Sequence, residues 1–390
     1  MNSLFANLNS TQRKLVIVIL AIIVYVISAA GSYSLFVTSK QAALGGLAGG
    51  GVPSPIAQGE EDPNEPKVAE CPLNGNMHTQ KAKDAWVQRR PLAVMIENHL
   101  EARPQSGLTS ADVVYEAVAE GGITRFMAVF YCVLPDVQVG PVRSARTYYI
   151  DWLSEYDALY AHVGGANTPG PADALGQIIK YDIKDLNQFS IGFPTFWRDY
   201  QRLGRPVATE HTMYSTTQKL WAIGEKRGWK AADETGKKWD AKFVSWKFAD
   251  GQPNSGQTAK IEVPFWESQA DYKIVWNYDA TCNCYKRDNG GSPHKDLNKD
   301  VQIQPKVVVV RFQKESPAND GYEGNAHRLY GNKGQGKAVI FQNGQAITGK
   351  WQKADRLARE KFFDDAGKEI QFVRGQVWLQ TVPDGVKVTY

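Results

Sequence analysis

The 390-residue sequence predicts an α+β protein: an N-terminal transmembrane helix, then a mixed α/β domain and a mostly β C-terminal domain. Three observations lead to this prediction. One long apolar run stands near the amino terminus, and segments with strand and helix patterns alternate from Trp86 to Trp229. From Ala241 to the end, short runs of β-branched and aromatic residues are separated by turn residues, which is typical of a β-rich domain.

The apolar run, Leu15 to Val37, contains no charged residue and is long enough to cross a bilayer as one helix. Arg13 and Lys14 precede it, and acidic residues follow from Glu60 onward, so the positive-inside rule places residues 1–14 in the cytoplasm. The sequence therefore predicts a single-pass cell-membrane protein with most of its chain outside. A cleavable signal peptide is the alternative, because Ala29 and Ala30 are small residues of the kind found at cleavage sites.

Residues 38–84 are rich in glycine, proline and alanine and then in acids, without a hydrophobic periodicity that could bury a core. This composition predicts a flexible stalk. The roughly 300 residues that remain exceed one small domain and predict two, over 85–235 and 240–390. A formal net charge of +4 is too small for this length to indicate a nucleic-acid partner.

The four cysteines, Cys71, Cys132, Cys282 and Cys284, lie on the side of the membrane where disulfides persist. One residue separates the last two, which would strain a bridge between them, and the spacing leaves three pairings open. A zinc site would need further ligands, and the histidines are scattered, so the sequence favours one or two structural disulfides. No metal or cofactor is predicted, because phosphate-loop, HExxH, GxSxG and dinucleotide patterns are all missing from the sequence.

The α/β domain begins with charged residues inside strand-like sequence. Its first three strands are predicted over Pro91–Glu97, Asp112–Glu120 and Phe126–Val133. Gly121 and Gly122 form the turn of a hairpin between the last two of these strands. Alternation places Glu116 and Glu120 on one face, with Arg125 near enough to neutralise one of them. Because buried ions are costly unless paired, these residues indicate an internal ion-pair network or a ligand site.

An anion site is predicted where a helix begins between Pro141 and Tyr156, with Ser144 as its cap. Arg143 and Arg146 stand at this start, and their guanidinium groups would add donors to the free N–H groups of the helix. The alternative is that both arginines only pair with carboxylates inside the protein. The predicted ligand-binding residues are Arg143, Ser144, Arg146, Arg125, Glu97 and Asn98.

Two histidines are candidates for acid–base chemistry. The predicted strand Ala158–Val163 places His162 just before a glycine loop, where sheets of α/β proteins present side chains to ligands. His211 lies upstream of a predicted helix, Thr216–Arg227, which would begin with a capping box from Ser215. A structural role is the commoner fate of a lone histidine. The candidate catalytic residues are Glu116, Glu120, His162 and His211.

The C-terminal domain carries strand and turn signals throughout. The predicted strands are Lys242–Phe248, Ile261–Phe265, Lys273–Tyr278, Val307–Phe312, Ala338–Gln342, Lys361–Asp364 and Gln376–Val382. Asn343-Gly344 and Asp384-Gly385 predict hairpin turns. Core packing is favoured over a sugar-stacking platform for the aromatic residues of this domain, which are Trp246, Phe265, Trp266, Tyr272, Trp276, Tyr278, Trp351 and Trp378.

Several long segments carry a resemblance to a known family. In the first domain they are RPLAVMIENHLEARPQSGL, ADVVYEAVAEGGITRFMAVF, GPVRSARTYYIDWLSEYDALYAHVGG and HTMYST, and in the second YKRDNGGSPHKD, VVVVRF, GKWQK and VWLQTVP. Together these segments resemble the YerB-like family of bacterial envelope proteins. The resemblance implies a two-part extracytoplasmic protein that is tethered to the membrane and has no established activity. Family members are often lipoproteins, whereas this sequence predicts a transmembrane anchor.

Two functions are consistent with these patterns. The first is a binding or scaffold module of the cell envelope, which recognises an anionic group on an envelope ligand or protein partner. The second is an envelope hydrolase or transferase in which Glu116 or Glu120 acts with His162, and Arg143 with Arg146 holds an anionic substrate. The binding module is favoured, because the sequence contains no nucleophile or metal-ligand pattern that stands out.

Overall fold

A computed structural model describes residues 61–133, 135–254, 258–322, 324 and 326–390. The predicted cytoplasmic tail, the transmembrane segment 15–37 and the first part of the predicted stalk lie outside the described residues. Within the described ranges, no helix is both long enough and apolar enough to cross a membrane.

Strands dominate the described chain. The first ten are β1 Lys67–Glu70, β2 Met77–Thr79, β3 Leu92–Glu97, β4 Val113–Glu120, β5 Ile123–Phe130, β6 Gln138–Val139, β7 Leu159–His162, β8 Lys184–Asn187, β9 Trp197–Arg198 and β10 Met213–Thr216. The later strands are β11 Phe248–Ala249, β12 Lys260–Val263, β13 Ile274–Asp279, β14 Cys284–Asn289, β15 Ser292–Pro293, β16 Lys295–Asp296, β17 Val301–Gln302, β18 Val307–Gln313, β19 Glu315–Pro317, β20 Arg328–Tyr330, β21 Gly334–Gln342, β22 Gln345–Lys353, β23 Lys361–Asp364, β24 Phe372–Val373 and β25 Val377–Pro383.

Helices are short and lie mainly in the first half of the described chain. The α-helices are α1 Gln80–Trp86, α2 Thr147–Leu153, α3 Ala174–Lys180, α4 Gln188–Ile191 and α5 Thr217–Lys226. The 3₁₀ turns are Leu100–Ala102, Leu108–Ser110, Ser154–Tyr156, Thr209–His211, Trp239–Lys242 and Ala270–Tyr272. The predicted mixture of α and β in the first segment and the β-rich second segment are both confirmed.

One ten-stranded sheet forms the centre of the fold, in the order β23-β22-β21-β18-β25-β4-β5-β3-β7-β8. The last strand of the chain, β25, lies between β18 and β4 and is parallel to both. Strands from the two sequence segments 85–235 and 240–390 therefore share a single sheet. The sequence does not reveal this arrangement, because pairing between distant strands leaves no local pattern.

Both faces of the central sheet are covered. Tyr115 and Met127 belong to the core on one face, where they are buried with side chains of α2. Val114, Phe126 and Trp378 belong to the core on the other face, which includes α5 and the small sheet β12-β13-β14-β15. Because the central strands are buried on both sides, they have nearly continuous apolar runs instead of an alternation.

The predicted hairpin turns have different outcomes. Gly121 and Gly122 join β4 to β5 with φ of 56° and 81°, and Asn343 with Gly344 joins β21 to β22 with φ of 56° and 70°. Both turns need positive φ at their two central residues, which is why these dipeptides predict them correctly. Asp384-Gly385 was expected to be a third hairpin, but no strand follows β25 in the described chain.

The predicted strand 242–248 is largely absent. A 3₁₀ turn ends at Lys242, and only Phe248 of this run enters a strand, β11. Trp246 is buried and its indole nitrogen donates a hydrogen bond to the carbonyl of Glu360 at 2.8 Å, so the run follows the core surface instead of pairing along a sheet.

Six of the eight predicted core aromatics are fully buried, and Trp266 and Tyr278 are partly buried, which confirms packing as their role.

Part of the predicted stalk is folded. β1, β2 and α1 lie within or beside residues 61–84, and Cys71 forms a disulfide with Cys132 at the end of the β5 segment. The buried Asp112 carboxylate accepts hydrogen bonds from Asn74 at 2.8 Å and from the main chain of Tyr131 at 2.7 Å. The average composition of residues 38–84 hid this ordered portion. A second disulfide joins Cys282 to Cys284, so both bridges are intramolecular.

Candidate functional site

The candidate site lies where the strands of the central sheet end, and we call this side of the sheet its ligand-binding edge. β3, β7 and β8 are parallel neighbours, and their carboxyl ends meet at this edge. The segment 140–146 runs along it: the Arg143 amide donates to the carbonyl of Met95 at 2.9 Å, and the Val163 amide donates to the carbonyl of Arg143 at 3.0 Å. The carboxyl ends of parallel strands are the usual ligand-binding edge of α/β sheets.

An ion-pair network occupies this edge, and we call it the arginine cluster: Arg125, Arg143, Arg146, Glu97 and Glu120. The Nε atom of Arg143 lies 3.0 Å from Glu97 Oε1. A terminal nitrogen of Arg125 lies 3.0 Å from Glu120 Oε1, and Arg146 pairs with the other oxygen of Glu120. The structure therefore brings together five of the predicted site residues.

The arginine cluster has more positive charge and more donors than its carboxylates use. Three guanidinium groups and two carboxylates leave one net positive charge. Arg143 is 25% exposed, and its two terminal nitrogens have no hydrogen-bond partner among the described residues. Arg146 Nε and the Tyr160 hydroxyl are buried without a partner of good geometry. An unpaired buried donor is destabilising, so Arg146 Nε and the Tyr160 hydroxyl are unsatisfied groups at the arginine cluster.

Both carboxylates of the arginine cluster are acidic. Burial alone would raise the pKa of Glu97, but the hydrogen bond from His211 and the charges of Arg143 and Arg125 lower it below its usual value. Burial also raises the pKa of Glu120, and the charges of Arg125 and Arg146 overcome this and bring it to about 2. Glu97 and Glu120 are therefore ionised at neutral pH, and neither is suited to donate a proton.

His211 extends the arginine cluster to the loop before β10. Its Nδ1 donates to Glu97 Oε2 at 2.8 Å, and its ring stacks on His99 with 4.7 Å between ring centres. The hydrogen bond to Glu97 raises the pKa of His211, although burial opposes the shift. Sequence reasoning proposed His211 for acid–base chemistry but did not connect it with Glu97, 114 residues away.

The Glu97–His211 pair predicts a pH-dependent contribution to stability. The raised pKa of His211 means that its contribution is complete below pH 6.5 and is lost as the pH rises through that pKa. The lowered pKa of Glu97 means that its contribution is complete above pH 4.5 and is lost as the pH falls through that pKa. We expect His211→Asn to reduce the free energy of unfolding most between these limits, by about 1 kcal/mol.

Urea unfolding at several pH values measures this difference. His99→Asn is the matched control, because His99 stacks on His211 but does not contact the Glu97 carboxylate. It should retain the hydrogen bond between His211 and Glu97. A His211→Asn difference that is the same at pH 5.5 as at pH 8.5 would contradict the assignment.

The start of α2 differs from the prediction. The helix begins at Thr147, and Arg146 occupies the N-cap position, not Ser144. The preceding residues are extended because Val142 bridges to Ile96 and Ala145 bridges to Gly165. An extended segment, not a helix terminus, therefore positions Arg143 and Ser144. The predicted capping box before α5 is also wrong: Thr216 caps that helix.

Glu116 lies in a separate, completely buried network. Its carboxylate accepts hydrogen bonds from four side chains at 2.7–3.0 Å: Thr124, Arg287, Trp378 and Gln380. Glu116 and Arg287 form an ion pair with both side chains 0% exposed. Arg287 was not predicted, and Glu116 has no exposed oxygen with which to meet a substrate.

A β-bulge separates Glu116 from Glu120. The register between β4 and β5 shifts between Val118 and Glu120, which adds one residue to β4. Such a bulge turns the following side chain to the other face of the sheet. Glu120 therefore meets Arg125 and Arg146, whereas Glu116 meets Arg287 on the opposite face, and the prediction that the two glutamates share a face is wrong.

Asn98 belongs to a chain of buried polar groups that continues from Arg287. The Nε atom of Arg287 donates to His294 Nδ1 at 2.9 Å, and His294 Nε2 donates to Gln105 Oε1 at 2.6 Å. Gln105 in turn donates to Asn98 Oδ1 at 3.1 Å. Burial and the charge of Arg287 lower the pKa of His294 well below its usual value, so the ring is neutral and both roles are satisfied. Asn98 therefore supports the fold between the two segments and is not in the arginine cluster.

His162 is also held by protein groups. Its Nδ1 lies 2.7 Å from the carbonyl of Gly164, and its Nε2 lies 2.7 Å from Asp185 Oδ1. The side chain is completely buried, and it makes no hydrogen bond or ion pair with Glu116, Glu120 or His211. The structure does not bring the four candidate catalytic residues together.

The fold defines the class: mixed α/β proteins in which two sequence segments share one sheet and a buried ion pair, Glu116 with Arg287, joins the two segments. The chain belongs to a family of this kind, the protein of unknown function family DUF3048. The model of the family's N-terminal domain matches residues 77–230, and the model of its C-terminal domain matches residues 261–379. The resemblance to the YerB-like family is thereby confirmed.

One curated relative and one solved structure are similar over most of the chain. "Putative lipoprotein YerB" of Bacillus subtilis (strain 168) is 30% identical over 325 residues, which cover 83% of this chain and 88% of the relative. The crystal structure of YerB protein from Bacillus subtilis matches with a TM-score of 0.68 and 27% identity. That match covers 83% of this chain and 100% of the crystallised chain.

Proposed function

We propose that this protein is a membrane-anchored, extracytoplasmic binding module of the bacterial cell envelope, and that its arginine cluster binds an anionic group. One observation carries the proposal: among the residues that the structure describes, the terminal nitrogens of Arg143 have no hydrogen-bond partner, and the arginine cluster has one net positive charge. Guanidinium groups bind carboxylate and phosphate through paired, charge-assisted hydrogen bonds. The free donors of Arg143 therefore suit an anion that approaches from the edge of the sheet.

Three features support the location. Residues 15–37 are apolar and follow Arg13 and Lys14, as expected of a single-pass anchor with a cytoplasmic amino terminus. The relative from Bacillus subtilis carries lipoprotein in its name, which supports a membrane-tethered protein. Both disulfides, Cys71–Cys132 and Cys282–Cys284, are of the kind that persists outside the cytoplasm.

Binding is preferred to catalysis because three of the four acid–base candidates, Glu116, Glu120 and His162, are already engaged. Glu116 accepts four hydrogen bonds inside the protein, and His162 uses both ring nitrogens. Glu120 has a pKa of about 2 and pairs with two arginines. A general acid or base needs a free site within hydrogen-bond reach of substrate and a pKa near the working pH. These residues lack that combination.

The anion site is tested with Arg143→Gln. Isothermal titration of the full chain in detergent with tripolyphosphate should show binding by the wild type and a roughly tenfold weaker affinity for the variant, since a hydrogen bond to a charged group contributes about 1.5–3 kcal/mol. The affinity of the wild type should fall as salt is added.

Arg374→Gln is the matched control for this experiment. Arg374, like Arg143, is about a quarter exposed and forms ion pairs, here with Glu70 and Asp250, but it lies outside the arginine cluster. Its replacement should leave tripolyphosphate affinity unchanged. Equal losses for both variants would show that the polyanion binds through overall charge, and this result would overturn the site.

A further inference from the structure

Two phenylalanines project from the edge of the sheet that carries the arginine cluster. Phe193 is 83% exposed and Phe189 is 76% exposed, and both follow the carboxyl end of β8. Ile179 is comparably exposed, but it lies near the end of α3, before β8 begins at Lys184. Of these three side chains, only the phenylalanines therefore stand at the ligand-binding edge.

Phe189 is held in place against the main chain of the site. A Cβ atom on Gly164, which has φ of 57°, would lie 3.0 Å from Phe189 Cε2, so the ring rests on this glycine. The carbonyl of Gly164 accepts from the Ala145 amide at 3.0 Å. Asn187 Oδ1 accepts from the amides of Gly164 at 3.1 Å and Phe189 at 3.2 Å. These contacts place the Phe189 ring against Gly164, whose carbonyl accepts a hydrogen bond from the segment that carries Arg143 and Arg146.

The aromatic ring projects, whereas the charges beside it are recessed. Arg143 is 25% exposed and Arg146 only 7%, while most of Phe189 is open to solvent. A flat bilayer surface would meet the ring but would not reach the recessed guanidinium groups. A narrow chain-like ligand with apolar faces and anionic substituents would meet both. The shape and the charge of this edge therefore favour a polymer over a lipid surface.

We propose that Phe189 and the arginine cluster together bind a glycan that carries carboxylate groups on its sugar rings. The C–H face of a pyranose is apolar and flat enough to lie on the open face of Phe189. A ring carboxylate is planar and matches the paired terminal nitrogens of Arg143. This inference rests on the proposed anion-binding function and names the class of ligand.

Three ligands separate the contributions of ring and charge. An α-1,4-linked galacturonate tetramer has both sugar faces and carboxylates, maltotetraose has α-1,4-linked pyranose rings without carboxylates, and tripolyphosphate has charge without sugar. Titrated into the full chain in detergent, the galacturonate tetramer should bind, and maltotetraose should bind at least about tenfold more weakly, because it lacks the charge-assisted hydrogen bonds.

Variants at Phe189 test the aromatic contact. Phe189→Ala should weaken galacturonate binding by roughly three- to tenfold, the range expected when one aromatic contact is lost, and leave tripolyphosphate binding unchanged. Phe189→Trp should retain galacturonate affinity. Ile179→Ala removes an equally exposed apolar side chain away from the site and should change neither affinity. Circular dichroism checks that each variant is folded.

The outcomes distinguish the ligand class from the function beneath it. Suppose that tripolyphosphate binds through Arg143. The glycan inference is then overturned, and anion binding stands, if galacturonate does not bind the wild type or if it binds Phe189→Ala as tightly as the wild type. If neither anion binds, both fail. The glycan inference is supported if Phe189→Ala binds galacturonate more weakly than the wild type does and Ile179→Ala binds it equally well. If Phe189→Ala loses only its binding to anionic vesicles, the ligand is a lipid surface, and the glycan inference is overturned.

Discussion

Replacement of Glu116 by glutamine should reduce the free energy of unfolding by about 3–5 kcal/mol, which is the usual effect of removing one partner from a buried ion pair. Arg287 would remain completely buried without a counter-charge, because Glu116 is its carboxylate partner and both side chains are 0% exposed. Guanidinium unfolding of the full chain in detergent, followed by circular dichroism, measures the loss.

Two further variants make this prediction specific. Glu120→Gln removes a carboxylate that is 27% exposed, and solvent can compensate its arginines, so we expect a loss of only about 1 kcal/mol. The double variant Glu116→Leu with Arg287→Met removes both buried charges and should be more stable than Glu116→Gln alone. If Glu116→Gln destabilises no more than Glu120→Gln, the buried pair is not the main stabilising contact that its geometry indicates.

Loss of the disulfide between Cys71 and Cys132 should be the second large effect. The two cysteines are 61 residues apart in sequence, and a cross-link of this length reduces the entropy of the unfolded chain by an amount worth about 4 kcal/mol. We expect Cys71→Ser with Cys132→Ser to lower the thermal midpoint of the full chain by several degrees. Scanning calorimetry under non-reducing conditions measures this change.

Cys282→Ser with Cys284→Ser is the matched control for the disulfide. These cysteines are two residues apart, so their bridge closes a very short loop and restricts the unfolded chain much less. The double variant should destabilise by less than half as much. A larger effect from the short bridge than from the long one would contradict the loop-entropy explanation.

Local signals in the sequence predict much of the secondary structure. Gly121 and Gly122 identify the hairpin between β4 and β5, and Asn343 with Gly344 identifies the one between β21 and β22, because positive φ at both turn residues strongly restricts sequence. The run 242–248 misleads, because its large apolar residues fill the core beside the sheet and do not form a ladder. Apolar periodicity alone does not distinguish these two fates.

The candidate site is predicted in part for the same reason. Arg125, Arg143 and Arg146 stand out because ions in strand-like sequence need partners, and the structure supplies Glu97 and Glu120. The partners themselves depend on geometry that sequence spacing does not record. A single-residue bulge moves Glu120 away from Glu116, and chain segments more than 100 residues apart bring His211 to Glu97.

The position of β25 has a consequence for how the protein reaches its mature form. Residues Val377–Pro383 are synthesised long after β4, which begins at Val113, yet they pair with it. Until they arrive, β4 and β18 each present an open strand edge, and neither half of the chain has a complete sheet. The native sheet can therefore close only after Val377–Pro383 have been made. A chain truncated before Val377 would lack this central strand and would leave both edges open to pairing with other chains.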